Sequence, residues 1–285
     1  LCSYNLQSTF AALSFYNPDT TPWIIGAVEA VLVGYCLLGG GKRVIKATST
    51  LVPLMGVIYI SVAFILTIMH INLVPGVVGR IFAEAFDFTA IFGGFAGSCM
   101  MFGIKRGLYS NEAGVGSAPN AAAAADVSHP VKQGLVQMLS VFIDTLLICT
   151  ATAFMCLSSG IEPTKELAGA PYVQAALAAS MGDYAKLFIT VSMVLFAFTT
   201  LLGNLYYVDN AFAYVLKHVP GKTFTLCYRI LACVLIFIGA GSSMGTMRDL
   251  ADVTMGFTAS INLPVMCILG GPALRALDDY TEQRD

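Results

Sequence analysis

Charge is what this sequence has least of. Of its 285 residues only 11% are Asp, Glu, Lys or Arg, where an ordinary soluble domain carries about 25%. Fifteen Lys and Arg stand against seventeen Asp and Glu, for a net charge of −2, so no basic surface exists on which to hold a nucleic acid. There are three His, far apart, and one Trp. The eight cysteines (Cys2, Cys36, Cys99, Cys149, Cys156, Cys227, Cys233, Cys267) lie singly in apolar stretches without a C-x-x-C pair. A zinc site or a disulfide framework has nothing to start from, and thiols of this kind pack like small apolar residues. Also missing are G-x-S-x-G, H-E-x-x-H and G-x-x-x-x-G-K-[ST] patterns, so nothing argues for an enzyme or a phosphate-cradling loop. The chain opens at Leu1 with no charged n-region or cleavage site. That start reads as a piece of a longer chain rather than as a signal peptide.

What is present is apolar surface. Apolar residues make up 57% of the chain, more than the core of a domain this size can hide. Crossing roughly 30 Å of hydrocarbon takes about 20 mostly apolar residues in a helix, and seven stretches qualify: 23–39, 51–71, 88–104, 134–157, 187–208, 230–247 and 253–274. Residues 1–16 are uncharged but short, the tail of an eighth. The runs are continuous rather than alternating, which excludes barrel strands. An all-α integral membrane protein follows, a single transmembrane domain over 1–285, with lipid as its solvent and no nucleic-acid partner. Placing the loop after 23–39 in the cytoplasm puts eleven Lys and Arg on that side and four on the other. By the positive-inside bias the C-terminus is cytoplasmic and the protein a multi-pass resident of the cell membrane. The loop 159–183 has room for a short external helix.

Four features carry the chemistry. The third span holds Gly93, Gly94, Gly97 and then Ser98. Glycines here serve either close helix packing or an unwound break that bares backbone groups at mid-bilayer. Next comes the polar, glycine-punctuated stretch 103–126 with Asn111 and Glu112, a cytoplasmic turn or a gate beside a substrate path. Asp144 lies ten residues into 134–157, a depth that costs roughly 2.5–3.5 kcal/mol on insertion scales. It is expected to face protein or water, in ion coupling, substrate contact or a structural hydrogen bond. Finally 187–208 carries Thr199, Thr200 and Asn204, hydroxyls that either bond their own helix or offer hard oxygen to an alkali cation. Glu29 interrupts the first span, where interfacial exposure is expected, and Asp249 and Asp252 near the outer end of the last are expected to be solvated.

At 103–119 the run G-I-K-R-G-L-Y-S-N-E-A-G-V-G-S-A-P resembles the signature of the alanine or glycine:cation symporter family of amino-acid carriers. The flanks agree: G-G-K-R at 40–43, L-V-P-L-M at 51–55, F-G-G-F-A-G at 92–97, H-P-V-K-Q-G-L at 129–135, F-I-D-T at 142–145 and F-A-F-T-T at 196–200. The resemblance implies a leucine-transporter-type inverted-repeat helix bundle, its first broken helix preceding Leu1. It implies sodium-coupled symport of small neutral amino acids, with Na+ as the coupling ion and no cofactor. Residues 93–98 would form an unwound segment at the substrate, Gln7 would match a polar motif near it, and Thr199 and Thr200 would hold sodium. Two departures bear on substrate choice. This chain reads L-G-N-L-Y-Y-V-D at 202–209, where many members have Trp at the position of Asn204, and it has Arg248 where members tend to have Trp. Proton coupling, a non-transporting membrane sensor and a channel are the readings to be separated from symport.

Overall fold

The computed structural model describes residues 1–39, 41–88, 99–112, 114–164 and 167–284, and of residues 41–43 and 284 the backbone alone. Among the described residues all regular structure is helical. In chain order the helices are α1 (Cys2–Ser8, continued by a 3-10 turn Thr9–Ala12), α2 (Thr21–Leu38), α3 (Gly41–Met69), α4 (Val74–Ala85), α5 (Cys99–Asn111), α6 (Ala118–Ala122) and α7 (Pro130–Phe142). A π-helical segment Ile143–Cys149 leads from α7 into α8 (Thr150–Leu157), followed by α9 (Ala170–Met181), α10 (Tyr184–Leu216), α11 (Lys222–Ala240) and α12 (Met244–Arg284). Six stretches are long and apolar enough to cross a membrane: Thr21–Leu38, Val44–Met69, Pro130–Leu157, Tyr184–Leu216, Lys222–Ala240 and Met244–Gln283. The expected span 88–104 falls largely on residues outside the described set. The helix expected in 159–183 is α9.

The chain forms two compact units, Leu1–Ile71 with Ala151–Ala251, and Asn72–Thr150 with Asp252–Asp285. In the first, α2 packs on α11 through small residues. A Cβ on Gly26 would lie 2.6 Å from that of Ala240, and one on Gly34 3.4 Å from the Cys233 sulfur. With no hydrophobic drive between helices in lipid, such close backbone approach is a main source of association. Around this seam Val33, Leu37, Val44, Leu202 and Ile236 form a buried cluster. At its polar end Arg229 donates to the Leu37 carbonyl at 2.7 Å and to Asp209 at 2.9 Å, so one guanidinium satisfies an orphan carbonyl of the α2 terminus and a carboxylate on α10. Outward-facing apolar side chains abound, among them Val31, 70% exposed, and Met138, 70% exposed. In water they would be aggregation sites; in lipid they are the solvated face.

In the second unit the start of α7 is tied to α12. Pro130 opens α7, and His129 Nδ1 accepts from the Val131 N–H at 3.2 Å. The ring proton therefore sits on Nε2, which donates to Asp279 at 3.2 Å.

Three expectations change. Lys105 and Arg106 are not in a loop: α5 runs through them to Asn111, because Asp252 of α12 pairs with both, Lys105 at 2.6 Å and Arg106 at 3.0 Å. Asp252 is accordingly engaged rather than solvated. Glu29, expected at an interface, is 4% exposed in the middle of α2.

Gly26→Leu is expected to lower the thermal unfolding temperature of the purified protein in detergent by the equivalent of about 1–3 kcal/mol, because the α2–α11 seam has no room for a side chain. Gly221→Leu, at a position with nothing within 4 Å, should leave it nearly unchanged.

Candidate functional site

The residues singled out in the sequence fall in both units. In the second, the end of α5 meets the π-helical segment. Ser110 Oγ donates to Asp144 Oδ2 at 2.8 Å and Asn111 Nδ2 to Thr145 Oγ1 at 2.9 Å. Two consecutive residues on one element thus bond two consecutive residues on the other. A π segment, with i→i+5 bonding, widens the helix and re-aims its side chains, and such segments gather at functional sites. Asp144 is half-buried and faces protein, as its depth required.

Immediately after Asn111 the chain turns. Glu112 takes a left-handed φ of 52°, and the Val115 N–H bonds its carbonyl at 3.1 Å. The Ser117 hydroxyl donates to the Glu112 carboxylate. Gly114 and Gly116 have φ of 81° and 100°, conformations that cost a side-chain-bearing residue free energy. Space is equally tight: a Cβ on Gly116 would lie 3.0 Å from Asn262 Cγ, and one on Gly114 3.1 Å from Leu263 Cδ2. Asn262 of α12 donates to the Gly114 carbonyl at 3.0 Å, which seats the turn on that helix. Between α5 and α12 lies a cavity of about 280 Å³ lined by Lys105, Leu108, Tyr109, Gly114, Asp252 and Leu263 among others. The stretch 103–126 is therefore helix to Asn111, then a docked turn and α6.

In the first unit Gln7 is buried and its Oε1 accepts from the Tyr16 hydroxyl at 2.8 Å. A phenol keeps its proton at neutral pH, so Tyr16 donates. Thr199 and Thr200 diverge. Thr199 is buried, its Oγ1 bonding the Leu195 carbonyl at 2.9 Å with the Met55 sulfur at 3.9 Å. Thr200 is exposed on α10, as is Asn204 one turn on. Adjacent helix residues point about 100° apart, which is why the pair does not share one surface in this unit. Donating its hydrogen leaves the Thr199 oxygen with lone pairs for a cation. Gly93, Gly94, Gly97 and Ser98 lie outside the described residues.

Several partners carry no signature in the sequence. Ser110, Thr145 and Asn262 are unremarkable by type and spacing. A second buried polar group escaped too: Gln174 of α9, 2% exposed, donates to the Thr9 carbonyl at 2.9 Å and the Thr190 hydroxyl at 3.0 Å. All of them act as hydrogen-bond donors or acceptors within the protein. Among the described residues there is also no cluster of three or more His, Cys, Asp or Glu.

Six described helical stretches long and apolar enough to span, with polar side chains bonded to one another within them, define a multi-pass membrane protein. The chain belongs to the sodium:alanine symporter family, which matches residues 3–285; its members are transporters, not enzymes. It is 41% identical to the amino-acid carrier protein AlsT of Bacillus subtilis over 92% of this chain and 55% of that protein. It is 39% identical to the probable sodium/glutamine symporter GlnT of the same organism, over 98% and 58%. With the sodium/alanine symporter AgcS of Methanococcus maripaludis it shares 37% over 94% and 59%. The chain thus spans between half and two thirds of the length of these relatives.

Asp144→Ala removes the acceptor of Ser110 and is expected to destabilise the fold by about 1–3 kcal/mol, whereas Asp144→Asn, which keeps an acceptor oxygen, should lose less than half of that. Thermal unfolding of both variants in detergent gives the comparison. Equal losses would assign the effect to the charge and not to the hydrogen bond.

Proposed function

We propose that the intact protein is a secondary active transporter of the cell membrane. It imports a small neutral amino acid, alanine, glycine or one of similar size, together with Na+, by alternating access. The observation that carries this reading is the family match along nearly the whole chain. The names of the relatives, which span alanine and glutamine, support the substrate class and leave its member open.

We read the two units as parts of one leucine-transporter-type domain of seven spans with part of an eighth, C-terminus cytoplasmic. Gly93, Gly94, Gly97 and Ser98 would bare backbone groups to the ammonium and carboxylate of the substrate, because an unwound segment supplies both donors and acceptors without a charged side chain. Gln7, Asp144 and Asn204 would complete the polar wall. Asn111 and Glu112, on the turn that Asn262 seats, would form the gate. Thr199 and Thr200 would give hydroxyl oxygens to Na+, which is cargo here and not a resident metal. Sodium works by favouring the substrate-competent state, so each ligand raises the affinity for the other by the same factor.

The test is uptake of labelled alanine, glycine and glutamine by the intact carrier in vesicles with and without an inward sodium gradient. Accumulation against a gradient only with sodium is the expected result. Uptake that follows pH alone would replace this reading with proton coupling, binding without flux with a sensor, and flux without accumulation with a channel. Thr199→Ala and Thr200→Ala are each expected to raise the sodium concentration for half-maximal uptake roughly tenfold, the equivalent of about 1.4 kcal/mol. An unchanged sodium curve would remove that residue from the ion site.

A further inference from the structure

One ionisable side chain stands apart from every residue used so far. Glu29 is 4% exposed at the middle of α2, about 12–14 Å from either end of the helix. Its Oε2 contacts the Ser3 hydroxyl of α1, and that same hydroxyl lies 3.0 Å from the Ile236 carbonyl of α11. Its Oε1 is buried without a hydrogen-bond partner. No Lys, Arg or His among the described residues forms an ion pair with it.

Counting hydrogens decides its charge. Glu29 Oε2, Ser3 Oγ and the Ile236 carbonyl oxygen form a row of three oxygens with two contacts, and two contacts need two hydrogens. Ser3 brings one and the carbonyl none, so both contacts become full hydrogen bonds when Glu29 supplies the second. Protonated, Glu29 donates to Ser3, and Ser3 donates to Ile236. Ionised, it would compete with that carbonyl for a single hydroxyl hydrogen and hold a full charge in an apolar interior with its other oxygen bare, the arrangement most strongly disfavoured there. Sodium in the proton's place would need more oxygens than the carboxylate, one hydroxyl and one carbonyl found here.

The elements packed against α2 are α1, α3, α10 and α11. On α1 the titratable groups are Cys2 and Tyr4. From α11 come Cys233, beside Gly34, and Arg229, which pairs with Asp209 of α10 next to Leu37. From α3 comes Lys46, in the turns next to Val44 of the Leu37 cluster.

We propose that Glu29 is a proton-binding site inside the membrane, filled while α1, α2 and α11 are packed as seen here and emptied when α1 moves off α2. On opening, water reaches the carboxyl, the O–H bond breaks, and the proton passes to water, leaving a hydrated carboxylate. On closing, the proton must return before Ser3 can bridge Glu29 and Ile236. Packing of α1 on α2 is thereby linked to pH, through a residue distinct from those proposed for sodium and substrate.

Infrared difference spectroscopy on the intact carrier, wild type against Glu29→Gln, reads this directly. The Gln amide also donates to Ser3, so the variant keeps the hydrogen count and is expected to fold. At neutral pH the wild type should show the carbonyl stretch of a protonated carboxylic acid, and Glu29→Gln should lose it; no difference between the two means Glu29 is ionised and overturns the proposal. Should Glu29→Gln fail to fold, Ser3→Ala serves: the band must move to the frequency of an acid with no hydrogen-bond partner, and an unmoved band overturns it equally. In vesicles, wild-type uptake should fall at alkaline pH while Glu29→Gln stays flat; a variant that keeps the wild-type pH profile removes the link to transport. The spectra need no uptake, so a protein that moved no alanine would sink the functional reading and leave this one standing.

Discussion

Inside hydrocarbon a polar group finds no water, and each one must be met by another group of the protein. The helices meet this constraint for their own backbone. What remains are side chains that enter the apolar layer and the few backbone groups the helices leave open, and the internal architecture of both units is arranged around satisfying them. Asp252 of α12 pairs with Lys105 and Arg106 within α5 and so ties the two helices together. Arg229 closes the end of α2, and Asn262 closes the carbonyl of Gly114. Each of these bonds joins elements distant in sequence, so each also fixes how two helices lie against one another.

The same constraint shapes the polar motif after α5. Its glycines permit left-handed turns and leave no room for a Cβ, which brings the turn flat against α12. Ser110 and Asn111, the last residues of the helix, then reach Asp144 and Thr145 across the π-helical segment. A helix end, a tight turn and a widened helix converge within a few residues. In the other unit the Ser3 hydroxyl joins three helices at one point, between Glu29 and the Ile236 carbonyl.

The sequence alone determined that this is a helical, multi-pass membrane protein, because apolar run length and charge scarcity follow directly from the thickness and polarity of the bilayer. It also determined the family, since a long specific motif such as S-N-E-A-G-V-G-S-A-P survives any rearrangement of the elements around it. That Asp144 would face protein or water rather than lipid was legible from its depth alone. Partners were not. Whether Lys105 and Arg106 end a span or lie within a helix depends on Asp252, some 146 residues away in sequence, and no local pattern encodes that meeting. Glu29 read as interfacial because hydropathy counts residues along one helix and cannot see that α1 and α11 cover it. Thr199 and Thr200 look like a pair on paper, yet helical geometry turns one into the core and the other out. Only tertiary structure decided these points, because charge compensation and burial depend on which helices become neighbours, and that is a property of the packed chain and not of any segment of it.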